Sequence, residues 1–330
     1  MAGAVRFGAA LPDPIVLQLN RPPLTQTDRV RLTGDVEQRG SRAGFSTPVA
    51  FVFGLAFVGA GTGITLIGAR AIEVRASSIH APLWVLIALG VTQASAGLLV
   101  WGMAWRQFAA DRRRIAAASA HPEEPALADY PWDPSGFDVP RWHGVARFVG
   151  GAAFFTTFIS VFNYWAFATE SPVMVKLVTS LFDLVTLVVW WQAAIHVGRA
   201  LKFQGTRITY DRFPYRRSMP VVIHWQPAAG IRGAHRGSFT LRCVEEAYEQ
   251  SGSGNNRQRA LVHDQLWAQV LGFDAAHEFD PGEDVALSYT LPADAQPTSF
   301  AGSTPRFWEL EVKLDRPGLD FVETYLVPVY

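Results

Sequence analysis

Between Pro172 and Val197 the chain reads PVMVKLVTSLFDLVTLVVWWQAAIHV, apolar almost throughout, with Lys176 near its start and Asp183 at its middle. At about 1.5 Å per residue such a helix reaches about 39 Å, more than the roughly 30 Å hydrocarbon core of a bilayer. It is the last of four such stretches, and the sequence changes character after it. The pattern predicts a membrane span that divides a helical membrane half from a β-rich, water-facing half.

The four spans are expected over about residues 48–68, 82–105, 145–168 and 172–197, so that 48–198 forms a four-helix transmembrane domain. The first is rich in glycine, and its Gly59 and Gly63 have the GxxxG spacing that lets helix backbones approach in lipid. Trp84, Trp101 and Trp105 fall towards the ends of the second, and Asn163, Tyr164 and Trp165 close the third as an aromatic boundary. Arginines crowd three segments: Arg6, Arg21, Arg29, Arg31, Arg39 and Arg42 in the lead-in; Arg106, Arg112, Arg113, Arg114, Arg141 and Arg147 around the 106–143 connection; and the region after the fourth span. The first connection has only Arg70 and Arg75, and ATESP has none. By the excess of basic residues on the inner side, both termini and the 106–143 connection are expected in the cytoplasm. The connection is expected to form an Ala-rich helix and a proline-bent loop. Residues 1–47 lack a secretory signal and read as a flexible cytoplasmic lead-in or a short docking segment.

An acid at the centre of a span costs on the order of 2.5 to 3.5 kcal/mol on insertion scales, so Asp183 should face the bundle interior. Counting depth from the span ends puts Thr62, Gln93, Thr157 and Ser160 near the same level. These predict one intramembrane polar layer around Asp183. Two roles stay open for it: an ion or proton relay, or a hydrogen-bonded fastener between helices.

Lys plus Arg and Asp plus Glu both number 29, so a net charge of zero gives no basic footprint for nucleic acid. The single cysteine, Cys243, excludes an internal disulfide and a multi-thiolate zinc site, and its place in the alternation Phe239, Leu241, Cys243 reads as a buried structural thiol. No phosphate-cradling, zinc-protease or nucleophile-elbow motif occurs, the histidines are scattered, and the acidic run Asp274, Asp280, Glu283 and Asp284 lacks EF-hand spacing. No cofactor, metal or catalytic residue is expected.

From Phe203 onward hydrophobicity alternates with period two, and turn sequences such as QPAAG, SGSGNN, DPGED and DRPG separate seven candidate strands. Residues 199–330 are thus expected to form an antiparallel β-sandwich, in whose sixth strand Trp308, Leu310, Val312 and Leu314 point inward while Glu309, Glu311 and Lys313 face water. The closing segment, with Trp308-Glu309-Leu310, Pro317-Gly318, Asp320-Phe321 and Pro328-Val329, resembles the last strands of arrestin-like sandwiches. Together with the upstream helices it resembles an uncharacterised family of bacterial four-span membrane proteins carrying such a domain. The resemblance implies the inner membrane of a bacterium and no catalytic residues. A basic group, Arg199, Lys202, Arg212, Arg216 and Arg217, lies just inside the fourth span and is expected to face an anionic lipid surface, with an acidic protein segment as the other candidate.

The expected function is that of an integral membrane protein, not an enzyme, that tethers a cytoplasmic sandwich as a binding or scaffolding module for a protein partner. The alternative is a small transporter or sensor working through Asp183. Oligomeric state has no signature in the sequence.

Overall fold

The computed structural model describes residues 22–33, 36–40, 47–74, 82–120, 122–142, 144–217, 219–251, 258–300 and 304–330. Arg6, Arg21, Arg42 and Arg75, and the glycines of the expected hairpin tip at Gly252 and Gly254, lie outside them. Among the described residues the chain forms two compact units, one taking in 22–40, 129–141 and 201–330 and the other 47–128 and 142–200.

The helical unit contains α1 (Thr47–Gly68), α2 (Leu83–Ala120), α4 (Val145–Ala168) and most of α5 (Val173–Phe203), with a short α3 (Pro125–Asp129) where the units divide. All four long helices are long and apolar enough to cross a membrane. The expected Ala-rich helix is continuous with the second span, so α2 runs on to Ala120. Buried positions recur every seven residues, as in Val145, Ala152, Ile159 and Ala166 of α4 or Gly90, Gly97 and Ala104 of α2. Most of them are small, while large side chains such as Leu98, Leu99, Leu181 and Leu187 stay exposed on the protein surface. Small residues inside and large ones outside suit helices that associate in lipid by close backbone packing, since no hydrophobic drive separates tail from leucine.

The α1–α2 pairing corrects the expected glycine contact. A Cβ built on Gly59 or Gly63 meets nothing within 4 Å, whereas one on Gly61 lies 2.4 Å from the Ala94 nitrogen and one on Gly68 lies 2.9 Å from the Ile87 nitrogen. Gly54, Gly61 and Gly68, one heptad apart, form the face against α2, where Gly90 and Gly97 meet them. Both spacings were present in the sequence, but only the helix rotation selects between them.

The other unit is an antiparallel β-sandwich. One sheet has six strands: β1 (Leu24–Gln26), β8 (Gln258–Phe273), β7 (Arg236–Ser251), β11 (Arg306–Asp315) and β12 (Phe321–Val327) in that order, with β2 (Val30–Arg31) also against β8. The second orders β10 (Val285–Thr290), β5 (Pro220–Pro227), β4 (Thr206–Tyr210) and β3 (Gly136–Val139), and β6 (Ile231–Ala234) pairs with β9 (His277–Phe279). Alternation sets the core: Val221, Ile223 and Trp225 of β5 meet Phe239 and Leu241 of β7 and Leu310 and Val312 of β11, all fully buried. At its centre the Trp225 indole donates to the Tyr325 hydroxyl at 3.0 Å, which donates to Thr206 Oγ1 at 2.6 Å, so the buried polar tips are satisfied.

Three strands come from outside the expected sandwich boundary. Residues 24–31 belong to the lead-in and 136–139 to the 106–143 connection, yet they pair with β8 and β4. Strands of three, two and four residues are too short to show a period. A second difference lies in β11, where Glu309 was expected to face water. It is 1% exposed, because in register it lies against Arg242 of β7, whose Nε and Nη2 donate to its Oε1 at 2.8 and 2.6 Å.

Candidate functional site

Among the described residues no hydrogen bond joins Asp183 to Thr62, Gln93, Thr157 or Ser160. Thr157 Oγ1 donates to the Ala153 carbonyl at 2.9 Å and Ser160 Oγ to the Thr157 carbonyl at 2.7 Å, each within its own helix. Thr62 is exposed, and Gln93 makes no side-chain hydrogen bond among the described residues. Asp183 instead accepts a hydrogen bond from Asn163 Nδ2 on α4 at 2.7 Å, and a little further along the same pair of helices the Trp190 indole donates to Thr156 Oγ1 at 2.9 Å. The short connection after α4 makes α4 and α5 an antiparallel hairpin, but Asn163 lies five residues before the end of α4 and Asp183 ten after the start of α5, so counting from the turn does not pair them. One hydrogen bond thus joins the Asn163 amide to the Asp183 carboxyl across the two helices. Asp183→Asn should therefore keep the thermal stability of the purified protein, because an amide oxygen still accepts, whereas Asp183→Leu should lower it by about 1 kcal/mol. Equal losses in both variants would show that the carboxyl itself is required.

The five residues of the basic group divide between different settings. Arg212, Arg216 and Arg217 are exposed on the 211–219 loop between β4 and β5, beside exposed Met219. Arg212 lies 3.5 Å from Asp211 with both side chains largely in solvent, an ion pair worth little. The loop is anchored by Tyr215, whose N–H donates to the Pro328 carbonyl at 2.8 Å and whose buried hydroxyl bonds the Val222 carbonyl. Burial raises that phenol above its ordinary range. Lys202 is committed elsewhere: its Nζ reaches the Leu319 carbonyl at 3.4 Å in the β11–β12 turn. Arg199 belongs to the helical unit.

The motif residues of the closing strands hold the sandwich together. Trp308 is buried and donates to the Gln296 carbonyl at 2.7 Å; Pro317 precedes Gly318, whose φ of +90° makes the turn; Asp320 Oδ1 accepts from the Arg316 N–H at 3.1 Å. Phe321 packs against Trp225 and Phe203, and Pro328 receives the Tyr215 bond already described. Cys243 lies in the core, and burial pushes its thiol up to about 12. His224 contacts Asp284 at 2.9 Å and His277 contacts Glu283 at 3.6 Å, so these histidines and acids form separate pairs. Between α4 and α5 a cavity of about 450 Å³ is lined by apolar side chains such as Phe158, Phe162, Trp165 and Met174, a lining suited to an acyl chain.

The feature that sequence reading missed is the outer side of β8, which β1 and β2 cover. Residues Leu24, Thr25 and Gln26 pair with Val270, Gln269 and Ala268, and Val30 and Arg31 with Gln265 and Asp264. All five paired residues of the lead-in are exposed, including Leu24 and Val30, so burial of apolar surface holds little of this segment. Charge holds more of it. Arg29 donates to Asp264 Oδ2 at 2.7 Å and Glu245 Oε1 at 3.0 Å; Arg31 donates to Asp264 Oδ1 at 2.7 Å and Glu249 Oε1 at 2.7 Å. The Asp264 side chain is only 5% exposed. Burial alone would raise its pKa, but the hydrogen bonds from Arg29 and Arg31 outweigh it and hold the carboxyl below its usual range. A depressed pKa means that this contribution is complete above the ordinary aspartate value of about 4 and fades only as pH falls through the lower folded value. Further along, the Arg39 and Gly40 N–H groups donate at 2.7 and 2.8 Å to the fully buried carboxylate of Glu246, which His263 Nε2 also meets at 3.0 Å.

No family model matches the sequence, and no curated protein matches it. Among solved structures, a similar one is the sporulation control protein Spo0M from Bacillus subtilis, at 15% identity over 38% of this chain and 48% of that one, with a TM-score of 0.21. The chain thus spans about half the length of that structure. At so low a TM-score the fold rests on the strands and their pairing described above.

Proposed function

We propose that the protein is a membrane-tethered binding module: the four helices anchor it in the inner membrane of a bacterium, with both termini cytoplasmic, and the sandwich captures a protein partner without catalysing a reaction. The observation that carries this reading is that β8 already accepts strands from a segment more than 200 positions away in sequence, as the Arg29–Asp264 separation of 235 records. An edge that takes up a remote strand is competent for strand addition, in which backbone pairing gives affinity and side chains give selectivity. On the second sheet β10 is an end strand, with Ser288 and Thr290 exposed. Photo-crosslinkers placed at Ser288, Thr290 and along β8 in the full-length protein, in native membranes, should give a discrete adduct that excess unlabelled protein competes away. No adduct at any position would reject a sandwich-bound partner.

The exposed Arg212, Arg216 and Arg217 support docking of the 211–219 loop on anionic lipid, at about 1 kcal/mol per basic residue near such a surface. In nanodiscs, amide exchange of this loop should slow when the lipid is anionic and recover at high salt. The triple Arg→Ser variant should show no lipid dependence, and an unchanged dependence in that variant would remove the docking role.

A further inference from the structure

We infer, building on the binding role proposed above, that the β8 edge is a docking site for an extended protein segment with arginines at alternate positions, and that residues 24–31 occupy it in cis. Backbone pairing at five positions of this edge asks only that the occupant be extended. The selectivity lies in the carboxylates. Glu245, Glu249 and Asp264 face the occupant, and among the described residues Arg306 of β11 contributes one cation, to Glu245 at 2.9 Å. Arg29 and Arg31 supply the two further positive charges that balance the three acids, and their spacing of two puts both guanidiniums within reach of Asp264. A lysine makes a single-point contact, whereas the forked donors of arginine reach Asp264 and a second carboxylate at once, as both residues do here.

The cis segment is built to be exchanged. None of its paired residues is buried, and their pairing is interrupted between Gln26 and Val30. Its local concentration is high because it is tethered, so a partner competes only by presenting a better strand or when the tether is loosened at Glu246. The occupant is therefore a foreign basic segment in extended form, with the same segment of a second copy as the rival.

The full-length protein in nanodiscs, probed with a fluorescent peptide of residues 22–33, tests this. Arg29→Ser/Arg31→Ser weakens the cis segment, and the variant should bind the probe at least tenfold more tightly than the wild type. A probe with both arginines replaced by serine should lose at least tenfold in affinity for that variant, as should the native probe when Asp264→Asn and Glu249→Gln are added. Hydrogen exchange of β7 and β11 serves as the check that these variants are folded. Equal probe affinity in wild type and weakened variant, or equal binding of both peptides, would overturn the site. Doubling of the particle's protein content on weakening the segment would assign the edge to a second copy and overturn the foreign-partner reading. If adducts persist at β10 while the peptide fails, the β8 site falls and the binding role stands; loss of both removes the binding role.

Discussion

Gly61→Leu is expected to abolish the close pairing of α1 and α2, whereas Gly59→Leu and Gly63→Leu should leave it intact. A Cβ at position 61 would lie 2.4 Å from the Ala94 nitrogen, 2.6 Å from the Gly90 carbonyl oxygen and 2.9 Å from the Ala94 Cα. All three are backbone atoms of the neighbouring helix, so no side chain can swing aside and the helices must separate. Separation would also release the contacts at Gly54, Gly68, Gly90 and Gly97, because the same face carries all of them. Overpacking of an ordinary core costs about 1 to 3 kcal/mol, and the rigid neighbours here place the loss at or above the top of that range. The expected result is little folded protein recovered from membranes for Gly61→Leu, against near wild-type yield and melting temperature for Gly59→Leu and Gly63→Leu. Similar losses in all three variants would mean that α1 packs through a different face.

The contrast between these glycines shows where sequence stops being informative. Span positions followed from length and apolar content, since nothing shorter crosses a bilayer and nothing charged does so cheaply. Which glycines touch a partner depends on rotation about the helix axis, and α1 offers both a four-residue and a seven-residue repeat of glycine. Asn163 was hidden for a related reason: its role depends on how far α4 slides along α5. In the sandwich, the long strands β7, β8 and β11 announced themselves by alternation, while β1, β2 and β3 owe their existence to edges of β8 and β4 that only tertiary structure creates. Thus the side of β8 that takes β1 and β2 was legible only after the sheet existed. In the sequence Arg29 and Arg31 read only as charges on the inner side, because their partners Asp264 and Glu249 lie more than 200 residues away.

Register accounts for the second large effect, at Glu309. Read along β11 alone, Glu309 alternates with Trp308 and Leu310 and belongs in water. Read across the sheet, it sits between Arg242 of β7 and Leu326 of β12, all nearly or fully buried. Arg242 Nη1 also lies 3.0 Å from Glu311, which is in turn 2.9 Å from Lys313, so the guanidinium is shared by two carboxylates. Glu309→Ala leaves Arg242, with a side chain only 7% exposed, without its closest counter-charge. Breaking a buried pair in this way costs about 3 to 5 kcal/mol, whereas replacing both partners by apolar residues of similar volume is often neutral or stabilising. Amide exchange of β7 and β11 in the full-length protein should therefore accelerate strongly in Glu309→Ala and return close to wild type in Arg242→Met/Glu309→Leu. A loss below about 1 kcal/mol for Glu309→Ala would place the pair among ordinary exposed ion pairs. A stable double variant also explains what the pair contributes: a one-residue slip of β11 against β7 would set Arg242 opposite Trp308 or Leu310 and bury an unpaired charge. The apolar double variant lacks that penalty, so it should retain stability while admitting strand-pairing errors during refolding.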